Sequence, residues 1–505
     1  MQNILIKIEK ICQKYPEYIA VADENSQLTY KELLQEMHTI GSALLPFGHQ
    51  NQPIVVYLDK TPKCVSAILG VGISGNFYVV LDTMMPEERI KGIFQTLQPV
   101  LVITDQIHQE QAEKFCEGVS VLTCEELCRG EIDEEGLLSV REKMVDTDPV
   151  YALYTSGSTG KPKGALINRK ALYAYTEWFV NEFNIDETTV FGSQTPLFFS
   201  MSVSDLYGAL RTGGTYQIIP KKYFSFPMML IDYMNRFHIN TIYWVPFALC
   251  IVANWDTFSC GKPQYLQKVL FAGESMPNKQ LNYWRKNLPD VFFANLFGPT
   301  ETTDICCFYV VDRPFRDDET LPIGYACANC GLLIVDENGQ EAETGELLVK
   351  GPFLSNGYYN DWKKTAEVFI QNPLQSAYPE IVYKTGDLVK KGKNGELLYL
   401  GRKDFQIKHM GYRIEIGEIE AAICSLDRIQ SCVCIYDQDK DKIILVYQGK
   451  VKEPQLVQAI QQKLPSYMRP NIYISMKQLP QNANGKIDRN YLKKHYMEIM
   501  QKNQV

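Results

Sequence analysis

A chain of 505 residues exceeds what one hydrophobic core organises, so two or more domains are expected. With 45% apolar residues, 22% charged residues and a formal charge of −8, the composition is globular and excludes a wholesale electrostatic grip on nucleic acid. No apolar run nears the ~18 to 20 residues that span a bilayer, and the opening MQNILIKIEKICQKYPEY is charged throughout, so a cytoplasmic location without membrane or nucleic-acid partners is expected.

Up to about residue 310, short apolar runs ended by polar, Gly or Pro residues alternate with amphipathic segments: PIVVYLD, NFYVVLD, VLVITD, VYALYT, TIYWVP and KVLFAG read as buried strands. Such alternation predicts an α/β body of mostly parallel sheets flanked by helices. A helix is predicted over ALINRKALYAYTEWF, directly after a polar loop. From about 321 to 400, GLLIVDENGQ, GELLVKG and GELLYLG read as short strands joined by tight turns, hence a β-rich subdomain. Beyond GRKDFQIK, a helix over EIGEIEAAICSL, strands near SCVCIYD and KIILVYQ, and a helix over PQLVQAIQQKL predict a small α/β domain. The expected division is a core of residues 1–402 and a mobile lid of 403–505. Fourteen scattered cysteines suit reduced, mostly buried thiols. The one CxxC, Cys327 and Cys330, has no second pair at zinc spacing, so ordinary thiols are expected there.

The loop YTSGSTGKPKG, Tyr154 to Gly164, combines glycines, hydroxyls and lysines after a strand. Glycines let backbone N–H groups turn inward as an anion nest, and the other side chains add donors and charge. A helix starting just beyond would add its dipole. A triphosphate suits such a loop. It is not a Walker A loop, because Gly157 and Gly160 are separated by two residues and Pro162 follows Lys161. An alternative use of ATP is attack of a carboxylate on the α-phosphate, giving an acyl adenylate and pyrophosphate. That chemistry needs a metal ligand, a ribose anchor and cations. Glu301 in FGPTETT is a hard oxygen ligand for Mg²⁺, Asp387 in YKTGDL can accept from ribose hydroxyls, and Arg402 and Lys486 supply charge for a pentavalent phosphorus.

In these motifs, and in LTYKEL, GELLVKGPFLSNGYYN, GRKDFQIKHMGYRIE, LPSYMRP and NGKIDR, nearly the whole chain resembles the adenylate-forming enzymes. It is most similar to nonribosomal peptide synthetase adenylation domains and D-alanyl carrier protein ligases. The resemblance implies that Thr155, Ser156, Gly157, Ser158, Thr159, Gly160 and Lys163 form the phosphate loop, joined by the turn Gly298, Pro299, Thr300. It further implies that Glu301 holds Mg²⁺, that Asp387 and Arg402 hold the nucleotide, and that Lys486, Thr159 and Glu301 are catalytic. Lys486 would bridge the substrate carboxylate and the sugar. Rotation at Asp404 would then bring the HMGYR loop to the active site, with Gly411 leaving room for a pantetheine arm.

LFFSMSVSDLYGALRTGGT aligns with the stretch in which α-amino-acid activators carry an Asp for the substrate ammonium; here that position is Ser200, flanked by Phe199. A hydroxyl cannot compensate a buried ammonium, so an α-amino acid is not expected. The remaining walls implied are Met201, Ser204, Tyr243, Leu270, Ala272, Leu296, Asp304 and Ile305, an apolar or aromatic surface apart from Asp304. An aryl acid such as a hydroxybenzoate is expected, with Asp304 accepting a hydrogen bond from a substrate hydroxyl, pairing with an amine placed differently from that of an α-amino acid, or tied to neighbouring backbone or a Lys or Arg. No Gly-Gly-x-Ser attachment site or condensation motif follows, so a freestanding monomer loading a separate phosphopantetheine carrier protein is expected. Coenzyme A as acceptor, amino-acid activation for a carrier protein, and a noncatalytic ATP-binding homologue are the alternatives.

Overall fold

The computed structural model describes residues 3–156, 162–404, 406–426, 428–438, 440–480 and 487–503. The chain forms two compact units, one of Met1–Thr83, Leu97–Leu153 and Gly164–Lys403, the other of Met84–Thr96, Tyr154–Lys163 and Asp404–Val505.

Continuous apolar runs make the sheets of the first unit. One has six strands, ordered Ser120–Thr123, Leu101–Thr104, Pro53–Val56, Phe77–Val80, Pro149–Thr155, Lys163–Asn168. Its first five strands are parallel. Pro53–Val56, Phe77–Val80 and Leu101–Thr104 are buried at every position, as strands covered on both faces must be. The larger sheet has nine strands, ordered Tyr325–Ala326, Cys307–Val310, Phe292–Phe297, Lys268–Phe271, Thr241–Trp244, Val190–Ser193, Thr215–Ile218, Ile19–Ala22, Gln27–Thr29. Its middle from Phe292–Phe297 to Ile19–Ala22 is parallel, and both edges are antiparallel.

The β-rich part is a five-stranded antiparallel sheet in which Ile381–Lys391 pairs with Thr344–Lys350, Phe369–Gln371 and Leu397–Arg402, and Gly331–Val335 lies at one edge. In the second unit, Ile429–Asp437, Lys442–Gly449 and Ile472–Ser475 form a three-stranded sheet. Its alternating residues face two cores: Cys432, Cys434, Ile443 and Leu445 pack with helices Ile416–Cys424 and Glu453–Lys463, while Val433, Ile435, Ile444 and Val446 pack with helix Arg489–Asn503.

One local expectation fails. The residues directly after the polar loop are a strand, Lys163–Asn168, and the helix starts only at Arg169. Ala165 and Ile167 are fully buried in sheet packing, and the Asn168 side chain caps the helix by accepting from the Ala171 N–H at 2.7 Å. The helix dipole therefore does not start at the loop.

Candidate active site

The expected acid pocket is assembled at the carboxyl ends of adjacent parallel strands, the usual ligand site of an open α/β sheet. Tyr243 and Leu270 are register partners on neighbouring strands, and Ala272 follows the second of them. Leu296 lies near the end of Phe292–Phe297, with Ile305 soon after. Ser200 precedes helix Met201–Thr212, which presents Ser204 one turn in. Phe199 is half-buried, and its carbonyl accepts from Ser202 Oγ at 2.6 Å.

A tight fold-back places Asp304. Thr303 sits at φ +68° and ψ −59°, and the Asp304 N–H reaches the Thr302 carbonyl at 2.8 Å, which is a γ-turn of the strained, positive-φ kind. A β-branched residue there is held by its surroundings: Thr303 Oγ1 donates to the Phe353 carbonyl at 2.8 Å. Gly298 permits the fold-back, because a Cβ on it would lie 2.3 Å from the Asp304 carbonyl oxygen.

Asp304 is 2% exposed. Its Oδ2 accepts from Ser204 Oγ at 2.6 Å, Tyr243 OH at 3.0 Å and Tyr175 OH at 3.1 Å. Burial pushes its carboxyl up to about 6, opposed by hydrogen bonds from Ser204, Tyr243, Ser200 and Tyr175. Among the described residues, neither a Lys or Arg nor a neighbouring backbone group takes the side chain, as one of the expected alternatives required. Tyr175 was not in the sequence reading. It comes from helix Arg169–Glu182, some 130 positions from its partner in the chain, and only tertiary structure joins them.

At the nucleotide end, Asp387 and Arg402 are register partners on antiparallel strands, and the Arg402 guanidinium donates to Asp387 Oδ1 at 2.8 Å. Both side chains are buried. Glu301 is fully buried on the single helical turn Thr300–Thr302, where its Oε1 accepts from Tyr358 OH at 2.6 Å. Tyr358, within the motif GELLVKGPFLSNGYYN, is a partner that spacing did not reveal.

Gly157, Ser158, Thr159, Gly160 and Lys486 lie outside the described residues. In the second unit, Thr155 Oγ1 is buried without a hydrogen-bond partner, and Ser156 Oγ donates to the Arg413 carbonyl at 2.7 Å. Arg413 belongs to the hairpin Gln406–His409 and Tyr412–Glu415, whose two-residue turn places Met410 at φ +52° and Gly411 at φ +81°. Lys163 starts the strand after the loop, and Asp404 opens the longest segment of this unit, accepting from the Gln406 N–H at 3.2 Å.

The CxxC thiols have neighbours that the sequence reading missed. Cys327 donates its backbone N–H to the Cys306 carbonyl at 3.0 Å, and Cys307 pairs with Ala326 across the strand edge. Burial raises the thiols of Cys307, Cys327 and Cys330 above their ordinary range. Among the described residues, no group of three or more His, Cys, Asp and Glu side chains is arranged to hold a metal ion.

Two buried carboxylates thus stand out, Asp387 with its guanidinium partner and Glu301 beside a Gly-Pro turn. Residues 8–359 match the family model of the AMP-binding enzymes, and the chain belongs to that family. It is an adenylate-forming ligase. The chain is 31% identical to a D-alanine–D-alanyl carrier protein ligase of Bacillus licheniformis over 97% of its own length and 99% of that protein's. Two solved structures share the fold. One is a nonribosomal peptide synthetase protein containing adenylation and PCP domains, with TM-score 0.83 and 21% identity over 97% of this chain and 84% of the other. The second is an o-succinylbenzoate CoA synthetase of Bacillus subtilis, with TM-score 0.82 and 22% identity over 97% and 98% of the two chains. No helix among the described residues is long and apolar enough to cross a membrane.

Proposed function

We propose that this ligase converts a carboxylic acid and ATP into an acyl adenylate and pyrophosphate, then passes the acyl group to the phosphopantetheine thiol of a separate carrier protein. The observation that carries this reading is similarity along almost the full length of both chains to an enzyme named as a carrier protein ligase.

In this reading Asp387 accepts from the ribose hydroxyls while Arg402 donates to its Oδ1 and fixes the side chain. The loop from Thr155 to Lys163 receives the β- and γ-phosphates. Among the described residues the buried Thr155 hydroxyl has no partner, which supports that role. Glu301 suits a magnesium ion: among the described residues no group of three or more His, Cys, Asp and Glu side chains is arranged to hold a metal, so the ion would take most of its other ligands from phosphate and water, its usual habit. Magnesium would supply charge neutralisation at the phosphates.

The acid arrives ionised, so no strong general base is required, and orientation with charge stabilisation lowers the barrier. Lys486 is assigned the bridge between the acid carboxylate and the sugar. The later thiol attack needs the same space, so the lid is proposed to turn at Asp404 and to present the hairpin with Gly411 at its tip. The contact of Ser156 with that hairpin supports a role for it near the phosphate loop.

For the substrate, Ser200 speaks against a standard α-amino acid, and a hydroxybenzoate is ranked above one. Coenzyme A is the second reading for the acceptor, favoured by the fold shared with a CoA synthetase. A monomer in the cytoplasm is part of the same proposal. Incubation of enzyme, ATP and acid with holo carrier protein or with coenzyme A tests it. The expected outcome is AMP, pyrophosphate and a thioester on the carrier arm; ADP as product, or a thioester on coenzyme A alone, would contradict it.

A further inference from the structure

The carboxylate of Asp304 has hydrogen-bond donors in plenty and no positive charge. Ser204, Tyr243 and Tyr175, all neutral hydroxyls, converge on Oδ2. Among the described residues, no Lys, Arg or His forms an ion pair with it.

The nearest other charges do not supply the lack. Asp205, 1% exposed and next in sequence to Ser204, accepts the Leu206 N–H at Oδ1, while its Oδ2 has no partner. Lys60 is the buried cation that attracts Asp205, and its ammonium is held by the Ser193 carbonyl at 3.2 Å, Ser193 Oγ at 2.7 Å and the Thr195 carbonyl at 2.8 Å. Asp205 and Asp304 also repel each other. With Lys60 set against Asp205, one negative charge is left over, and it resides on Asp304.

Ser204, Tyr175, Tyr243 and Asp304 are buried, whereas Ser200 is half-buried, so Ser200 marks the side from which a guest would approach the carboxylate. A phenol would exchange one neutral donor for another and leave the charge unbalanced. An ammonium supplies the donor and the charge together.

Taking the adenylation reading as its basis, we propose that the activated acid carries a protonated amine away from its α-carbon, received by Asp304 past Ser200. The class is that of β- or γ-amino acids and aminomethyl-substituted aryl acids. Acid-dependent ATP–pyrophosphate exchange by the full chain tests this, with β-aminobutyrate, γ-aminobutyrate and meta-aminomethylbenzoate compared with butyrate, meta-methylbenzoate, meta-hydroxybenzoate and D-alanine. The best distal amine is expected to exceed its amine-free counterpart in kcat/KM by about 100-fold or more, as when a site's buried polar group would otherwise go unpaired. Asp304→Asn is expected to collapse that ratio to below about tenfold. Ser200→Asp, which puts a second charge at the mouth, is expected to raise D-alanine relative to the distal amines. Meta-hydroxybenzoate or D-alanine winning in the unaltered chain, or an amine preference untouched by Asp304→Asn, would overturn the proposal. If Asp304→Asn does not fold, the substrate ranking and Ser200→Asp decide it. A neutral winner with robust exchange would refute the amine alone, whereas ADP formation in place of exchange would refute adenylation and the amine with it.

Discussion

Asp387 and Asp304 are both buried carboxylates of the first unit, yet they are built in opposite ways. Asp387 has its countercharge in the next strand, with Arg402 at 2.8 Å. Asp304 is surrounded by hydroxyls and lacks one. The difference separates a part of the site that is complete in itself from a part that waits for its ligand. The nucleotide end is a finished ion pair suited to an invariant guest, and the acid end leaves charge to be matched by the guest.

The largest effect should come at the acid end, where Lys486 is the proposed cation for the substrate carboxylate. Lys486→Ala is expected to lower pyrophosphate exchange by roughly a thousandfold or more while sparing transfer of a pre-formed adenylate to the carrier. Loss of both steps, or of neither, would break the proposed division between lid positions.

Next in size is the complete pair. Arg402→Ala leaves Asp387 buried without its cation, and breaking such a pair is expected to destabilise the chain by about 3 kcal/mol. Denaturant unfolding reads this directly. A loss within error would mean that Asp387 is not charged as the pairing implies.

Asp304 should respond in the opposite sense. Its carboxyl is raised from the ordinary 3.8 to about 6 by burial, so the folded form binds the proton more tightly than the unfolded chain. The ionised group therefore opposes folding above about pH 6, and that penalty is relieved as the pH falls towards about 4. Tyr151, Tyr175, Tyr243 and Asp205 face the same carboxylate, and Asp205 is itself raised to about 7, so the informative quantity is a difference. Asp304→Asn is expected to raise stability at pH 8 by roughly 2 kcal/mol relative to the unaltered chain and to lose that advantage by pH 4. A destabilised variant at pH 8 would show that the hydroxyls alone satisfy the charge.

The smallest effect concerns the second unit. Arg89 and Glu418 form a buried ion pair there, accompanied by Lys463 and Glu88 at 2.9 Å. If the segment holding Arg89 stays with the core when the chain turns at Asp404, this pair breaks, and a buried ion pair, whose desolvation offsets much of its attraction, is suited to being temporary. Glu418→Gln is expected to alter the ratio of thioester formation to adenylate formation by about tenfold, a change of ~1.4 kcal/mol. An unchanged ratio in rapid-quench assays would separate this contact from the lid motion.

Sequence reading carried the strand runs and the chemistry-bearing motifs because both are local. A buried parallel strand announces itself by an unbroken apolar run, as in Pro53–Val56, and the Gly-Pro turn before Glu301 by its own dipeptide. It failed where the deciding partner is distant. ALIN was read as the start of a helix, yet Asn168 caps that helix and the residues before it are held by sheet packing. The hydroxyl shell of Asp304 joins residues from two helices and a strand that lie 61 to 129 positions from it in the chain, which no periodicity reports. The same applies to Tyr358 on Glu301 and to the thiols gathered around Cys327.

The decisive measurement is product analysis after a single enzyme turnover with labelled ATP, the acid and holo carrier protein. AMP and pyrophosphate released in equal amounts, with one acyl thioester on the carrier for each AMP, is the result expected. Label appearing as ADP and inorganic phosphate, or AMP formed at the same rate without acid, would contradict the assignment.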